Sequence, residues 1–275
     1  MKRAIYYFSG TGNSLCVARD LAGLLKAELL PMGAFREARA VETDAEELGL
    51  VFPVYYGSAP VIVQEFVQKI TNPQAKRVFA VCTYGGAAGD SLRTVRRLLR
   101  NRGGELALAF SVPMPQNAFY KSWESKARLF AAWEKRRGKT AALIERGATG
   151  IRYQNRLLEW LMIPLTRWVI KPACVKQYTA ETRMLPGTPL NMLIRMRDCA
   201  FRVSDACDGC GTCARVCPVQ NIALADGKPA WLHRCENCLA CYNLCPRRAI
   251  HGGIVKQDYY SLHPDVGVKD FVRTP

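Results

Sequence analysis

Short apolar runs alternate with segments of helical periodicity in the first part of the chain. Each run is apolar throughout, which is typical of strands buried on both faces of a parallel sheet. The predicted strands are residues 4–8, 28–30, 48–54, 78–83 and 106–112. Apolar residues at helical spacing lie between them, including segments 61–70 and 92–100. The pattern predicts an α/β domain built on a doubly wound, five-stranded parallel sheet.

Beyond residue 112 the pattern is less regular. Segment 121–137 predicts a basic helix, and segment 139–146 predicts a further helix that closes the sheet. Residues 148–200 mix Trp, Leu, Pro and Arg without a clear period, so we expect a basic connector packed between domains. The predicted domains are therefore 1–147, an α/β domain, and 201–275, a small α+β domain with a C-terminal tail.

Two cysteine runs repeat with a period of 28 residues near the C-terminal end. Both have the form C-x2-C-x2-C-x3-C-P. They consist of Cys207, Cys210, Cys213, Cys217 and Pro218, and of Cys235, Cys238, Cys241, Cys245 and Pro246. An internal duplication is the simplest explanation.

This spacing is typical of [4Fe–4S] ligation. The fourth cysteine of each run ligates the other cluster in two-cluster proteins. One cluster is then expected on Cys207, Cys210, Cys213 and Cys245, and the other on Cys235, Cys238, Cys241 and Cys217. A pair of zinc sites is the alternative, although zinc gives no reason for a third close cysteine and a Cys-Pro pair, twice over. We expect the other four cysteines, Cys16, Cys82, Cys174 and Cys199, to be small buried residues.

Composition supports two folded domains. The 275 residues are 49% hydrophobic, which excludes a disordered chain. The first ten residues leave no room for a signal peptide, so we expect a cytoplasmic protein with its thiols available as metal ligands. No stretch reaches the ~18–20 apolar residues of a membrane-spanning helix.

Positive charge is concentrated in the middle of the chain. The net charge is +16, and residues 91–200 hold 21 basic and 7 acidic residues. This segment predicts a solvated face, a docking surface for an acidic redox partner protein, or peripheral contact with an anionic membrane. We favour protein docking, because an apolar segment such as 157–170 is more often buried between domains. No base-reading motif is present, so nucleic acid is not an expected partner.

A compact glycine-rich turn follows the first predicted strand. It consists of Ser9, Gly10, Thr11, Gly12, Asn13 and Ser14. Free N–H groups and the positive end of the following helix favour one phosphate group at such a turn. The turn is neither G-x-G-x-x-G nor a Walker loop. A tight turn without a ligand is the alternative.

The loops after the third and fourth strands are aromatic and glycine-rich. Their candidate binding residues are Pro53, Tyr55, Tyr56 and Gly57 in one loop, and Thr83, Tyr84, Gly85 and Gly86 in the other. Ligands of open parallel sheets bind at the carboxyl ends of the strands, so these tyrosines could sandwich a planar ring. Each tyrosine alone could equally be an ordinary interface residue. Together with the phosphate turn, the loops favour FMN.

Residues 1 to about 147 resemble a flavodoxin, and residues 205–252 resemble a bacterial-type two-[4Fe–4S] ferredoxin. The whole chain is similar to the flavodoxin–ferredoxin fusion proteins, which implies two [4Fe–4S] clusters and FMN. Flavodoxins and ferredoxins are typically acidic, whereas this chain is basic.

These cofactors predict an electron carrier, because a flavin exchanges one or two electrons and each cluster exchanges one. No second nucleotide-binding unit is visible, so we expect electrons to arrive from a partner protein. We assign no catalytic residue. One alternative is a flavin reductase acting on a small-molecule acceptor, and another is a ferredoxin with a flavin-free docking scaffold.

Overall fold

The computed structural model describes residues 1–118, 123–255 and 259–272. The chain divides into two compact units. Unit 1 consists of Met1–Ser9, Asn13–Pro115 and the described part of Lys121–Trp168, and unit 2 consists of Gly10–Gly12 and the described residues of Gln116–Tyr120 and Val169–Pro275. The last boundary, between Trp168 and Val169, falls within the segment that the sequence assigns to a connector.

Unit 1 alternates strands and helices, as the apolar runs predict. Its strands are β1 (Arg3–Tyr7), β2 (Glu28–Pro31), β3 (Glu47–Pro53), β4 (Arg77–Tyr84), β5 (Leu106–Pro113) and β6 (Gly150–Arg152). Its helices are α1 (Asn13–Leu25), α2 (Val61–Lys69), α3 (Ser91–Arg100), α4 (Trp123–Glu145) and α5 (Arg156–Leu165). Short 3-10 turns lie at Met32–Phe35 and Pro73–Ala75.

The six strands form one parallel sheet in the order β2-β1-β3-β4-β5-β6. The first five strands follow the 2-1-3-4-5 order of flavodoxin-like folds. The prediction of five strands is wrong by one edge strand. Strand β6 has only three residues, and its first and last residues are exposed, so the sequence offers no apolar run there.

Helices cover both faces of the sheet because side chains alternate along each strand. Ile5 of β1 packs in a core cluster with residues of α1 and α4. The next residue, Tyr6, points to the other face, where its ring lies 4.8 Å from that of Phe66 on α2. This two-sided burial explains why the strands are apolar throughout.

Two predictions beyond β5 need correction. The two helices expected at 121–137 and 139–146 are one helix, α4, with residues 121–122 outside the described part of the chain. Gly138 does not interrupt it. The connector is largely helical. Its apolar residues show only a weak helical period, because Pro164 and a π-helical turn at Thr166–Ile170 disturb the repeat.

Unit 2 has short elements. Its helices are α6 (Lys171–Thr182), α7 (Leu190–Met196), α8 (Thr212–Arg215) and α9 (Ala240–Asn243), with 3-10 turns at Arg197–Ala200 and Val268–Asp270. Its strands are β7 (Phe201–Val203), β8 (Ile222–Ala225), β9 (Lys228–Trp231) and β10 (Ile250–Gly252), which form the antiparallel pairs β7–β10 and β8–β9. In the described part of the chain, no helix is both long enough and apolar enough to cross a membrane.

Candidate redox centres

The duplication of the cysteine runs is visible in the backbone. Each run contains a short helix, α8 or α9, which carries the third cysteine of its run. Left-handed residues recur 28 positions apart in three pairs: Gly209 with Asn237, Gly211 with Leu239, and Gln220 with Arg248. The two runs therefore follow the same path, although only two of these six residues are glycine.

Four cysteines from both runs line one cavity. They are Cys207, Cys210 and Cys213 of the first run and Cys245 of the second. We call these four residues the exposed set, because Cys210 is exposed and the other three are half-buried. The apolar walls of the cavity include Leu224, Pro229 and Ile250. Since the fourth cysteine comes from the other run, the structure brings together the combination that the spacing predicts.

The remaining four cysteines also lie close together. They are Cys235, Cys238 and Cys241 of the second run and Cys217 of the first. Burial, together with the neighbouring Cys238, Cys217 and Cys213, raises the pKa of the Cys241 thiol well above its usual range. We call these four residues the buried set, because Cys235, Cys238 and Cys241 are buried and Cys217 is half-buried.

Backbone N–H groups point at the sulfurs of both sets. The amide of Asn221 donates to Cys217 Sγ at 3.2 Å, and the amide of Ala249, its counterpart in the repeat, donates to Cys245 Sγ at 3.3 Å. The amide of Asn237 donates to Cys235 Sγ at 3.2 Å. Such hydrogen bonds stabilise negative charge on sulfur and help to set the reduction potential of an iron–sulfur cluster.

Burial makes some of these thiols weaker acids when no iron is bound. Burial raises the pKa of Cys213 to about 11 and that of Cys238 to about 12. Ligation requires thiolates, so binding of iron would displace these protons. Two sets of four cysteines, with amides directed at their sulfurs, fit the donor chemistry of [4Fe–4S] clusters. Within the described residues, no three His, Cys, Asp or Glu side chains are placed to hold one metal ion.

A hydrogen-bond network lies beside the buried set. Asn221 Nδ2 donates to the buried carboxylate of Asp198 at 2.9 Å, and Asn221 Oδ1 accepts from the amide of Arg234 at 2.5 Å. His233 meets the same carboxylate through its amide, at 2.9 Å, and through Nδ1, at 2.7 Å. The segment before the first run is thereby joined to the start of the second. Sequence reasoning missed this network, because its only signal is an Asn and an Asp without a motif.

The predicted phosphate turn links β1 to α1. Ser9, Thr11, Asn13 and Ser14 are buried, and Gly12 has φ +95°, which a residue with a side chain rarely adopts. The carbonyl oxygen of Thr11 accepts from the amide of His263 at 2.8 Å. The positive φ, the start of a helix and the Thr11 hydroxyl fit a phosphate group.

The loops after β3 and β4 are partly buried and make contacts within the protein. The Thr83 hydroxyl lies 2.8 Å from the Ser14 hydroxyl, so the structure brings together two predicted site residues. Tyr55 and Tyr56 are half-buried, whereas Gly85 and Gly86 are exposed. Tyr84 differs from the expectation of a ring-flanking side chain: it is buried, and burial raises its pKa to about 12. Pro53 is half-buried at the end of β3.

Helix α5 contacts both of these loops. The buried Glu159 carboxylate accepts hydrogen bonds from the amides of Ala88, at 2.7 Å, and Gly89, at 3.0 Å. Thr166, just after α5, lies over Gly57, where a Cβ would meet Thr166 Cγ2 at 2.4 Å. Sequence reasoning missed Glu159, although it is the only acidic residue in the segment 152–171.

The cysteines outside the two sets are only partly as expected. Cys82 is buried in β4, where burial raises its pKa to about 12. Cys16 and Cys174 are half-buried. Cys199 is exposed, so the expectation that it is a buried residue is wrong.

A family model described as "4Fe-4S dicluster domain" matches residues 199–246. A search of curated proteins finds no match. Among solved structures, a putative flavoprotein from Bacteroides uniformis is 14% identical, with a TM-score of 0.35, over 47% of this chain and 97% of that chain. The flavodoxin of Megasphaera elsdenii is 19% identical, with a TM-score of 0.32, over 41% of this chain and 83% of that chain.

An FMN-dependent NADH-azoreductase from Bacillus anthracis is 10% identical, with a TM-score of 0.39, over 52% of this chain and 99% of that chain. These structural likenesses are weak, so the strand order carries the assignment of the fold. The chain has a flavodoxin-like α/β fold in its N-terminal part and a 4Fe-4S dicluster domain near its C-terminal end. This organisation is consistent with a flavodoxin–ferredoxin fusion.

Proposed function

We propose that this chain is an electron-transfer protein that passes single electrons between two [4Fe–4S] clusters and an FMN, and that it serves a partner oxidoreductase. One observation carries the proposal: the two cysteine runs form two sets of four, and each set takes its fourth cysteine from the other run. When bound, the clusters supply one-electron steps, and FMN supplies both one- and two-electron steps.

The chain's own residues would hold these groups. Cys207, Cys210, Cys213 and Cys245 would ligate one cluster, and Cys217, Cys235, Cys238 and Cys241 the other. The turn from Ser9 to Ser14 would bind the FMN phosphate, and the half-buried Tyr55 and Tyr56 would face the ring. This arrangement keeps the buried set away from water and leaves the exposed set open to a partner.

A basic side chain beside the exposed set favours an acidic partner protein. Arg215 is exposed and donates to the carbonyl oxygen of Cys210 at 2.9 Å, whereas the charge of Arg247 is balanced by Asp208. Exposed charges of one sign steer a partner of opposite sign during encounter. We therefore propose that electrons are exchanged with an acidic redox protein at the edge of the exposed set.

A flavin-free scaffold is the second candidate. It is favoured by the buried Tyr84 and by the occupation of the Ala88 and Gly89 amides by Glu159. Under this alternative, unit 1 holds no FMN and serves to dock the iron–sulfur part to its client.

The test is the content of iron, acid-labile sulfide and flavin in the protein purified without oxygen. Two clusters and one flavin predict about eight iron, about eight sulfide and one FMN per chain. Full iron without FMN, even after FMN is added, would support the scaffold. Zinc in place of iron would overturn both candidates.

A matched pair of variants tests the phosphate turn. Thr11→Val removes one hydroxyl with little change in shape and should weaken FMN binding about tenfold, because hydrogen bonds to charged groups contribute about 1.5–3 kcal/mol. Thr149→Val, at an exposed position, is the control. Equal FMN affinity in both variants, with iron content unchanged, would remove the turn from the binding site.

A further inference from the structure

Six large apolar side chains are exposed along α5 and the turn that follows it, and one of them is Val169. The exposed fractions of the other five are 69% for Leu157, 71% for Trp160, 53% for Leu161, 42% for Leu165 and 72% for Trp168. These positions follow i, i+3, i+4, i+8 and i+11, so they share one side of the helix. We call these five residues the tryptophan stripe. Single exposed apolar residues are common on protein surfaces, whereas a group of adjacent ones is typical of an interaction site.

The opposite side of the helix fixes the stripe in place. Glu159, Ile163 and Thr166 are buried, and the Glu159 carboxylate is tied to two amides of unit 1. The Asn155 side chain caps the start of the helix by accepting from the amide of Leu158 at 3.0 Å. One side of α5 is therefore already buried, and the stripe is the side that faces solvent.

Within the described segment 152–171, the exposed charged side chains are all basic. Arg156 and Arg167 are exposed at its two ends, and the Arg167 guanidinium lies 5.2 Å from the centre of the Trp168 ring. The one acidic residue of this segment, Glu159, is only 1% exposed and is already hydrogen-bonded. A complementary surface therefore has an apolar layer for the Leu and Trp side chains, covered by a negatively charged layer that pairs with the arginines.

We propose that the tryptophan stripe binds peripherally to an anionic lipid bilayer. Leucines would enter the boundary between headgroups and acyl chains, indole rings would lie at headgroup level, and the arginines would reach the lipid phosphates. An acidic redox protein fits less well, because transient electron-transfer interfaces are small and are about as polar as ordinary protein surface. The sequence of segment 157–170 predicts that it is buried, but its two tryptophans are exposed.

The experiment is flotation of the full-length, iron-loaded chain with vesicles. One set contains phosphatidylserine mixed with phosphatidylcholine, and the other contains phosphatidylcholine alone. The chain should float with the anionic vesicles and much less with the neutral ones, and added salt should weaken the binding. The variant Trp160→Ser/Trp168→Ser should bind at least about tenfold more weakly, since each buried indole contributes substantially to partitioning.

Two control variants separate the sources of binding. Trp123→Ser removes a tryptophan of similar exposure, 62%, from α4 and should leave vesicle binding unchanged. Arg156→Gln/Arg167→Gln should reduce the preference for anionic vesicles while leaving binding to neutral vesicles unchanged. An unchanged thermal midpoint and far-UV circular dichroism spectrum, together with normal iron content, show that each variant is folded.

Three results would overturn the proposal. Equal flotation of the double tryptophan variant and Trp123→Ser would show that the stripe is not the binding surface. Absence of binding, with concentration-dependent dimerisation lost in Trp160→Ser/Trp168→Ser, would assign the stripe to a second copy of the chain. Absence of both vesicle binding and dimerisation would assign the stripe to a protein partner.

Discussion

The exposed and buried cysteine sets share one backbone plan but lie in different surroundings. Cys210 of the exposed set is exposed, whereas its counterpart Cys238 is only 7% exposed. The difference arises outside the repeat: Asn237 Nδ2 donates to the carbonyl of Ile194 on α7 at 2.6 Å, and the amide of Cys235 donates to the carbonyl of Arg195 at 3.4 Å. Helix α7 thus covers the second run.

The comparison teaches that duplication sets the ligand pattern, whereas neighbouring residues set its environment. Solvent exposure and hydrogen bonds to sulfur are among the factors that determine cluster potentials. Two sets with the same ligands and different exposure should therefore differ in potential. Under the proposed function, the exposed set would exchange electrons with a partner, and the buried set would transfer them within the chain.

The largest expected effect comes from removing the cysteine that each run gives to the other set. Cys217→Ala should cost the iron of the buried set, and Cys245→Ala that of the exposed set, so each variant should keep about half of the iron. Cys217→Ala should also lower the thermal midpoint more, because buried thiols lose the iron that stabilises them. Iron analysis and anaerobic thermal unfolding measure both effects.

The iron that remains identifies the set that was lost. In Cys217→Ala it should be released quickly to a chelator, and in Cys245→Ala slowly. The reverse order would mean that each run supplies all four of its own ligands.

Next in size is a difference in reactivity within the wild-type protein. Chelator should remove iron in two phases of equal amplitude, because water and chelator reach the exposed set more easily than the buried one. Absorbance at the iron–sulfur band, followed anaerobically, gives both rates. A single phase would show that exposure of Cys210 does not distinguish the sets.

A smaller effect is expected at Asn221, which is 1% exposed and hydrogen-bonds to Asp198 and Arg234. Asn221→Ala should reduce the free energy of unfolding by about 1–3 kcal/mol, because it leaves buried polar groups without partners. It should also speed the slow phase of iron release. Asn191→Ala, at an exposed position of α7, is the matched control for denaturant unfolding of the iron-loaded chain. Equal unfolding curves would contradict a role for the network.

The smallest effect is expected at the ion pair beside the exposed set. Hydrogen bonding to Arg247 lowers the pKa of Asp208, so the pair contributes stability above the ordinary carboxyl pKa and loses it as the pH falls through the lowered value. Both side chains are well exposed, so Arg247→Gln should barely change unfolding at neutral pH. A change as large as that of Asn221→Ala would contradict the contrast between the sets.

The fold of unit 1 was largely predictable, because parallel strands that are buried on both faces have continuous apolar sequences. Strand β6 was not, since a three-residue edge strand needs no apolar run. Helix α5 was also missed: Pro164 and the exposed Trp160 disturb the amphipathic pattern by which a helix is recognised.

Spacing predicted which cysteines come together, because metal ligation restricts the separation of ligands along the chain. It could not predict their exposure, which depends on α7 and residues such as Asn237. The burial of Tyr84 was equally hidden, because the direction of a side chain at a strand end depends on the pleat and on its neighbours. Glu159 binds amides about 70 positions away in the sequence, and no local pattern records such a contact.

The central claim is that clusters and flavin act together in one electron-transfer chain, and a count of electrons tests it most directly. The protein, loaded with iron and FMN without oxygen, is titrated coulometrically while its absorbance is followed. Two clusters that take one electron each and a flavin that takes two predict about four electrons per chain. Uptake of about two electrons, with no flavin bleaching, would contradict the account and leave a ferredoxin joined to a flavin-free domain.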